Sequence, residues 1–406
     1  MNANSWSQLR GQGRVRIRKQ LWYKGPIRRS EIAKALSLSV PAVTMTINAM
    51  IDSGEVRERK LSGQDGRMGR RASAVEIVPE ARYYLGVEIR RDSRHVCLVE
   101  YQGNVVSAAG EMTSYPDYQP NLAAVCRMVK AFLEGVTVPR EKIRHLCVTV
   151  PGVVDYTRGV LVSHRMYRWF DRPIARDIAA GLDWSGPILV ENDGCTRAQA
   201  ARMLRRRDFE DIRTFAYLLI ARGISCPFLP AGDADVGHPM GIGELGFMMI
   251  RADAAITAGH IAGNLSDLAG ERALMDRCHA VMRAGVAPRL LAICGGDVRP
   301  TIPQILQAQL EGEPVVQEIL EQAFRFLAVG LANVYNFVQP DQIFVESQLF
   351  SDEANRRVLT DALSHYLMVP HTSRPLLEFV EPEANHGARC AALCAIRADL
   401  ENGEEG

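Results

Sequence analysis

Long apolar runs are missing from this sequence. No stretch of about 18 apolar residues occurs, so neither a membrane-spanning helix nor a membrane partner is expected. The opening segment, MNANSWSQLRGQGRVRIRKQ, lacks an apolar core followed by a cleavage site, and no secretory signal is expected either. Paired cysteines are missing as well. The nine cysteines are scattered without a Cys-x-x-Cys pair, the pattern of reduced, buried thiols in a cytoplasmic protein. Net charge is nearly absent, at +1, yet it is unevenly spread. Residues 1–82 hold 16 Lys and Arg against 7 Asp and Glu, a balance of +9; the remainder holds 32 against 40, a balance of −8. A small basic segment on a larger acidic body points to an anionic partner for that segment alone. The plain alternative is a solvated basic face with no partner.

What is present is a globular composition, 47 % hydrophobic and 23 % charged, over 406 residues, enough for two or three domains. The stretch RRSEIAKALSLSVPAVTMTINAMIDSGEV, residues 28–56, joins two helical patterns at Ser37-Leu38-Ser39. In the second pattern Val43, Ile47, Met50 and Ile51 form one apolar stripe. Ser39 is placed as its N-cap, and Pro41 is tolerated in the first turn. The other face carries Pro41, Met45, Asn48 and Asp52, flanked by Ala42, Thr44 and Ala49. Such a face suits a helix lying against base edges, with readout from Thr44, Asn48 and apolar contact. The preceding helix is expected to start at Ser30 as N-cap, and a first helix around Val15–Tyr23 would add Val15, Leu21 and Trp22 to a three-helix core. Two strand-like runs, Val56–Leu61 and Ala72–Val78, flank a glycine-rich basic turn with Arg67, Arg70 and Arg71. A hairpin beside a helix-turn-helix is a wing, and these arginines, with Arg28 and Arg29, would hold phosphates. Double-stranded DNA is therefore the expected partner. A helical pair that only packs or dimerises is the competing reading.

From Tyr83 the texture changes to strands and helices in the order β-β-β-α-β-α, with Gly103-Asn104 as a hairpin turn. A helix near 122–134 leads to the strand HLCVTVPGVVD, then PILVEND, a helix near 196–206 and the strand TFAYLLIAR. A long helix near 315–337 runs into QPDQIFVESQLF. Two α/β lobes with a cleft between them is the architecture this ordering suggests.

LSLSVPAVTMTINAMIDSGEV, VPGVVD (150–155), VENDG (190–194), GELGF (243–247) and LANVYNFVQPDQIFV (331–345) occur in an order and spacing that resembles the ROK family of sugar kinases and sugar-responsive repressors. The resemblance runs almost the length of the chain. It implies an N-terminal winged helix-turn-helix followed by a two-lobed, actin-like, hexokinase-like ATPase fold. The expected divisions are a DNA-binding domain over 1–80, a first lobe over 81–195, and a second lobe with the dimerisation region over 196–406.

The departures from the family are informative. Its kinases carry Asp-x-Gly-Gly-Thr after the first strand, where this chain reads Glu88-Ile89-Arg90-Arg91-Asp92-Ser93. Bulky side chains stand where a triphosphate needs backbone amides at close range. The second phosphate turn reads Gly223-Ile224-Ser225-Cys226-Pro227-Phe228, and the adenosine-side glycines are replaced by Glu346-Ser347-Gln348. Asp193 matches the family's catalytic base, but without a positioned phosphoryl donor it is a vestige, so no catalytic residue and no cofactor are expected. The structural zinc of many members is not expected: Phe247 replaces a histidine, Ala262 and Asp267 stand where cysteines would be, and His238 and His260 read as surface or loop residues. Cys390 and Cys394 read as core packing. Asn192, Asp193 and Glu244 match sugar-binding positions, and Arg165 stands where the family has an asparagine, which would suit an acidic or phosphorylated sugar. Asn192 and Asp193 could instead serve only to cap a helix, and Arg165 could be a surface arginine.

The combined expectation is a cytoplasmic DNA-binding regulator, a repressor of carbohydrate metabolism, acting as a dimer or tetramer under a carbohydrate effector. The alternatives are an active ATP-dependent sugar kinase with an added DNA-binding domain, and a regulator whose body only mediates assembly.

Overall fold

The structure, a computed structural model, describes residues 3–60, 73–205, 212–230, 241–251, 256–257, 260–261, 263–368, 376–381 and 383–401. Three helices come first: α1 (Ala3–Lys24), α2 (Arg29–Leu36) and α3 (Val40–Asp52). The expected short first helix is longer. It turns Ile17 and Leu21 inward, while Val15 and Trp22 are only partly buried. The expected cap at Ser30 is corrected. Arg28 is the N-cap in extended conformation, because the Glu31 carboxylate reaches back to accept from the Arg28 amide at 3.0 Å. Ser30 lies one residue inside the helix. In α3 the expected pattern holds: Ser39 Oγ accepts from the Ala42 amide, and Val43, Ile47 and Met50 are fully buried. Strands β1 (Val56–Lys60) and β2 (Ser73–Ile77) then pair antiparallel, Val56 opposite Ile77 and Lys60 opposite Ser73. The turn that joins them, with Arg67, Arg70 and Arg71, lies outside the described residues.

No free linker follows. Residues Pro79–Ala81 form a 3-10 turn, and the Val78 amide donates to Glu55 O at 3.0 Å. Strands β3 (Tyr83–Ile89), β4 (Arg94–Glu100) and β5 (Val105–Glu111) run as an antiparallel meander. The Glu100 carboxylate gathers the amides of Gln102 and Asn104 at 2.8 and 2.9 Å, and Gly103 takes φ +90° in the expected turn. Helix α4 (Tyr118–Gly135) crosses to β6 (Ile143–Val150), parallel to β3. A small antiparallel ladder follows, β7 (Val153–Asp155), β8 (Val160–His164) and β9 (Trp169–Arg172). Then come α5 (Ile174–Leu182), β10 (Ile188–Asn192), parallel to β6, and α6 (Asp193–Leu204). The sheet order is β10-β6-β3-β4-β5.

The chain divides into two compact units, residues 1–206 with 384–406, and residues 207–383. In the second unit, β11 (Thr214–Ile220) pairs with the short strands β12 (Ile224–Ser225) and β13 (Phe228–Pro230). A two-residue pair, β14 (Ile256–Thr257) and β15 (His260–Ile261), precedes helices α7 (Leu265–Ala269), α8 (Glu271–Arg283), α9 (Pro288–Cys294) and α10 (Ile302–Leu310). The long α11 (Pro314–Val338) delivers β16 (Gln342–Glu346), parallel to β11, and α12 (Glu353–Ser364) delivers β17 (Leu377–Val380), parallel to β16. Its own apolar core runs from Ala216 and Leu218 through Leu274, Phe324 and Leu331 to Phe350.

The last helix, α13 (His386–Glu401), belongs to the first unit, not to the second, where everything after residue 195 was expected. It packs on β3, β4, β6 and α6, and at closest approach a Cβ on Gly86 would overlap the Ala388 carbonyl. Cys390 and Cys394 are buried there as expected. Ile17, Val43, Ile47, Tyr84, Tyr101, Leu393 and Ile396 share one apolar cluster, so the N-terminal helices and the sheet form one core and residue 80 is no boundary.

A buried polar clasp reinforces this core. Glu55, just before β1, accepts from Arg18 Nε at 2.7 Å, Arg14 Nη2 at 2.8 Å and the Tyr101 hydroxyl at 3.0 Å. Arg82 Nη2 lies 3.4 Å from the same carboxylate and its Nη1 donates to Asp399 of α13 at 2.6 Å, where Tyr84 OH also donates. Burial would raise the Glu55 pKa, but Arg18, Arg82 and Arg14 outweigh it and hold the carboxyl below its usual range. Among the described residues, no single helix is long and apolar enough to cross a membrane.

Candidate functional site

On α3, Val40 and Met45 are half exposed, at 50 % and 55 %, large apolar groups turned to solvent where a core helix would hide them. Pro41 and Asn48 are exposed on the same side and Thr44 is partly buried. Arg28 and Ser30 are exposed at the start of α2. Arg29 is engaged within the protein: Nη1 donates to Asn48 Oδ1 and Nη2 to Glu58 Oε1, both at 2.9 Å.

The second constellation is built where β3 and β10 end. Alternation along a strand points Glu88 and Arg90 to one side. Arg90 Nε lies 3.1 Å from Glu88 Oε1, and Arg90 Nη2 lies 3.5 Å from Asp193 Oδ2. Arg197, one turn into α6, donates to Glu88 Oε1 at 2.9 Å and to the Asp193 carbonyl at 3.2 Å. Two carboxylates and two guanidiniums thus form a charge-balanced quartet, buried except for Arg90, which is partly exposed. Burial alone would raise the Glu88 pKa, but Arg90 and Arg197 hold it down to about 2. His164, at the end of β8, stacks on Tyr167 with ring centroids 3.8 Å apart, and its Nδ1 accepts from the Tyr167 amide. Burial, with a smaller contribution from the Arg90 charge, pushes its pKa down to about 4, so the ring is neutral at pH 7.

Asn192 is the N-cap of α6. Its Oδ1 accepts from the amides of Gly194 and Cys195 at 2.9 and 3.1 Å, and its Nδ2 donates to Gly152 O at 2.8 Å. The Gly152 bond uses one of the two Nδ2 hydrogens. Asp193 Oδ1 accepts from Gly194 N at 3.0 Å. Arg165 is exposed on the turn between β8 and β9, in the same unit. Glu244 is partly buried in the second unit, where it precedes a 3-10 turn ending at the exposed Phe247. The Cys226 thiol is buried, and burial pushes its pKa up to about 12. Glu346 is also buried and accepts from Tyr217 OH at 2.7 Å. Among the described residues, no three His, Cys, Asp or Glu side chains gather as a metal site; His238 and Ala262 lie outside them.

The sequence profile of the ROK family matches residues 84–397. The chain belongs to the ROK family. Over 344 residues it is 21 % identical to a protein named putative xylose repressor from Caldicellulosiruptor sp. strain Rt8B.4, covering 82 % of this chain and 83 % of that one. In structure it is similar to a ROK family transcriptional regulator described as a homologue of the E. coli MLC protein, with a TM-score of 0.76, 21 % identity and 97 % of both chains covered. It is also similar to a ROK family glucokinase from Streptomyces griseus solved with glucose and AMPPNP, with a TM-score of 0.65, 18 % identity, and 78 % of this chain against 99 % of that one. At these identities the structural likenesses show the fold, a sugar-kinase-like α/β fold. The ROK regulator matches the chain over its N-terminal helices too; the glucokinase matches only part of it.

Asp193 stands out by its motif, but its cation does not. The strand alternation of Glu88 and Arg90 was a readable signal, whereas the partner 103 positions away was not. His164 belongs to no motif, and its neutral, stacked state depends on burial.

Proposed function

We propose that this ROK chain is a DNA-binding transcriptional regulator, a repressor of carbohydrate metabolism, whose kinase-like body binds a carbohydrate effector without catalysis. The N-terminal helices and hairpin are a winged helix-turn-helix, with α3 in the major groove and Arg28, Arg67, Arg70 and Arg71 on phosphates. Two copies in a homo-oligomer, dimer or tetramer, would present two such helices to one operator. The names of the xylose repressor and of the ROK regulator support this reading.

One observation carries the choice of regulator over kinase. The Arg90 guanidinium stands on the Asp193 carboxylate, 3.5 Å away. That arginine stands in the turn that a phosphoryl donor would need, and it ion-pairs the carboxylate that a substrate hydroxyl would have to reach. Asp193, the remaining Asn192 N–H, Arg165 and Glu244 are the polar groups we assign to the effector, and Arg165 favours an acidic or phosphorylated sugar. The test is a thermal-shift panel of neutral sugars, sugar acids and sugar phosphates on the full chain. At least one should raise Tm, and Asp193→Ala should remove that shift. No response across the panel would leave a body that only mediates assembly.

A further inference from the structure

Asn48 is exposed on α3, but its amide is not free to turn. Arg29 has only donors, so the atom it meets at 2.9 Å is necessarily the Asn48 oxygen. Arg29 is held from its other end by Glu58 of β1, also at 2.9 Å, and its side chain is only 22 % exposed. The guanidinium is therefore clamped between α3 and the hairpin, and the NH2 group is the end of the exposed Asn48 amide that this contact leaves unused.

An asparagine with both ends available pairs with adenine, accepting from N6 and donating to N7. With its oxygen turned toward Arg29, the end of the amide left for a base carries the two donors. In the major groove, guanine offers two acceptors, N7 and O6, and thymine offers O4 with a methyl group; cytosine offers a donor. We propose that Arg29 is a positioning residue that converts Asn48 into a donor-only reader, selecting guanine at its position, disfavouring adenine and rejecting cytosine. Met45 lies one helical turn before Asn48 on the same face, so its exposed side chain meets the adjacent base pair, where a thymine methyl suits it. This inference rests on the DNA-binding reading above and adds which base α3 prefers.

The experiment is selection of a randomised duplex library by the full-length protein, followed by sequencing of the retained DNA, for the parent, Asn48→Ala and Arg29→Met. The parent should enrich guanine and exclude cytosine at one position of each half-site, and Asn48→Ala should make that position indifferent. Arg29→Met, which keeps the stem and removes the donors, should move the preference toward adenine by about 5- to 150-fold, the span of one good bidentate contact. Adenine at the Asn48-dependent position in the parent overturns the proposal, as does an Asn48→Ala profile identical to the parent's. An Arg29→Met protein that folds and keeps guanine removes Arg29 from the account. Should Arg29→Met fail to fold, the parent and Asn48→Ala profiles still decide the donor-only readout. Retention of no duplex at all would instead overturn the DNA-binding reading, and this inference with it.

Discussion

Arg82 and Asp399 are 317 positions apart in the chain, and their side chains meet at 2.6 Å in the interior of the first unit. Arg82 also reaches toward Glu55 at 3.4 Å, so a single guanidinium joins the end of α3 to the last helix. Both carboxylates are almost fully buried, at 3 % and 4 % exposure. Removing one member of such a cluster leaves its partner charged and unpaired in a poor solvent for charge.

Asp399→Ala should therefore cost about 3–5 kcal/mol, the range for breaking a buried pair. Asp399→Asn, which keeps the shape, should cost less. Chemical denaturation of the full chain, followed by circular dichroism, measures both. A loss below about 1 kcal/mol for the alanine variant would mean that water replaces the carboxylate and that the clasp is not structural.

The His164 ring gives the stability a definite pH dependence. Its folded pKa of about 4 lies below the unfolded value of 6.5, so the unfolded chain binds the extra proton between them. The stabilisation is complete above pH 6.5 and is lost as pH falls toward 4, a loss of up to about 3 kcal/mol. His164→Asn keeps an acceptor for the Tyr167 amide and does not titrate, so its unfolding free energy should fall less over that window. Glu88 has the same sign at lower pH: its contribution is present above 4.5 and is lost toward 2. Parallel curves for the parent and His164→Asn between pH 6.5 and 4.5 would refute the assignment.

The purified protein should not transfer phosphate from ATP to glucose, xylose or other sugars of the panel. Arg90→Gly frees Asp193 but leaves Arg91, Cys226 and Glu346 in place, so it should remain inactive too. Radiolabel transfer above the no-enzyme control, abolished by Asp193→Asn, would restore the kinase reading.

If an effector from the panel binds at Asp193, linkage requires that it and the operator change each other's affinity by one common factor, typically about 5- to 150-fold. Titrating DNA with and without the sugar, and sugar with and without DNA, measures the two factors. Asp193→Ala should abolish the effect of the sugar while leaving effector-free DNA binding intact. A parent-like response in both Asp193→Ala and Glu244→Ala would move the effector site elsewhere.

Local chemistry made much of the fold legible. Ser39 as a cap and the stripe Val43, Ile47 and Met50 need only the neighbouring residues to be recognised, and so does the turn at Gly103. The misplaced start of α2 is of the same local kind: Glu31 capping the Arg28 amide competes with a serine two residues on, and the carboxylate prevails. Long-range pairing was not legible. Arg18, Glu55 and Arg82 look like ordinary charges in a basic segment, and nothing nearby reveals that Asp399 completes their cluster. At the candidate site the position of Asp193 followed from its motif, but Arg90 reaching it depends on how β3 and β10 end on either side of β6.

The placement of α13 also sets an order of assembly on the ribosome. The helices of the N-terminal segment are made first, yet the helix that completes their core is made only after residues 207–383 have been synthesised. At about 5–20 residues per second, that interval is on the order of ten seconds or more. The second unit is continuous in sequence and can close while the first still waits with Tyr84, Tyr101 and Gly86 uncovered. The core shared by the N-terminal helices and the first sheet is thus closed only once α13 has been made.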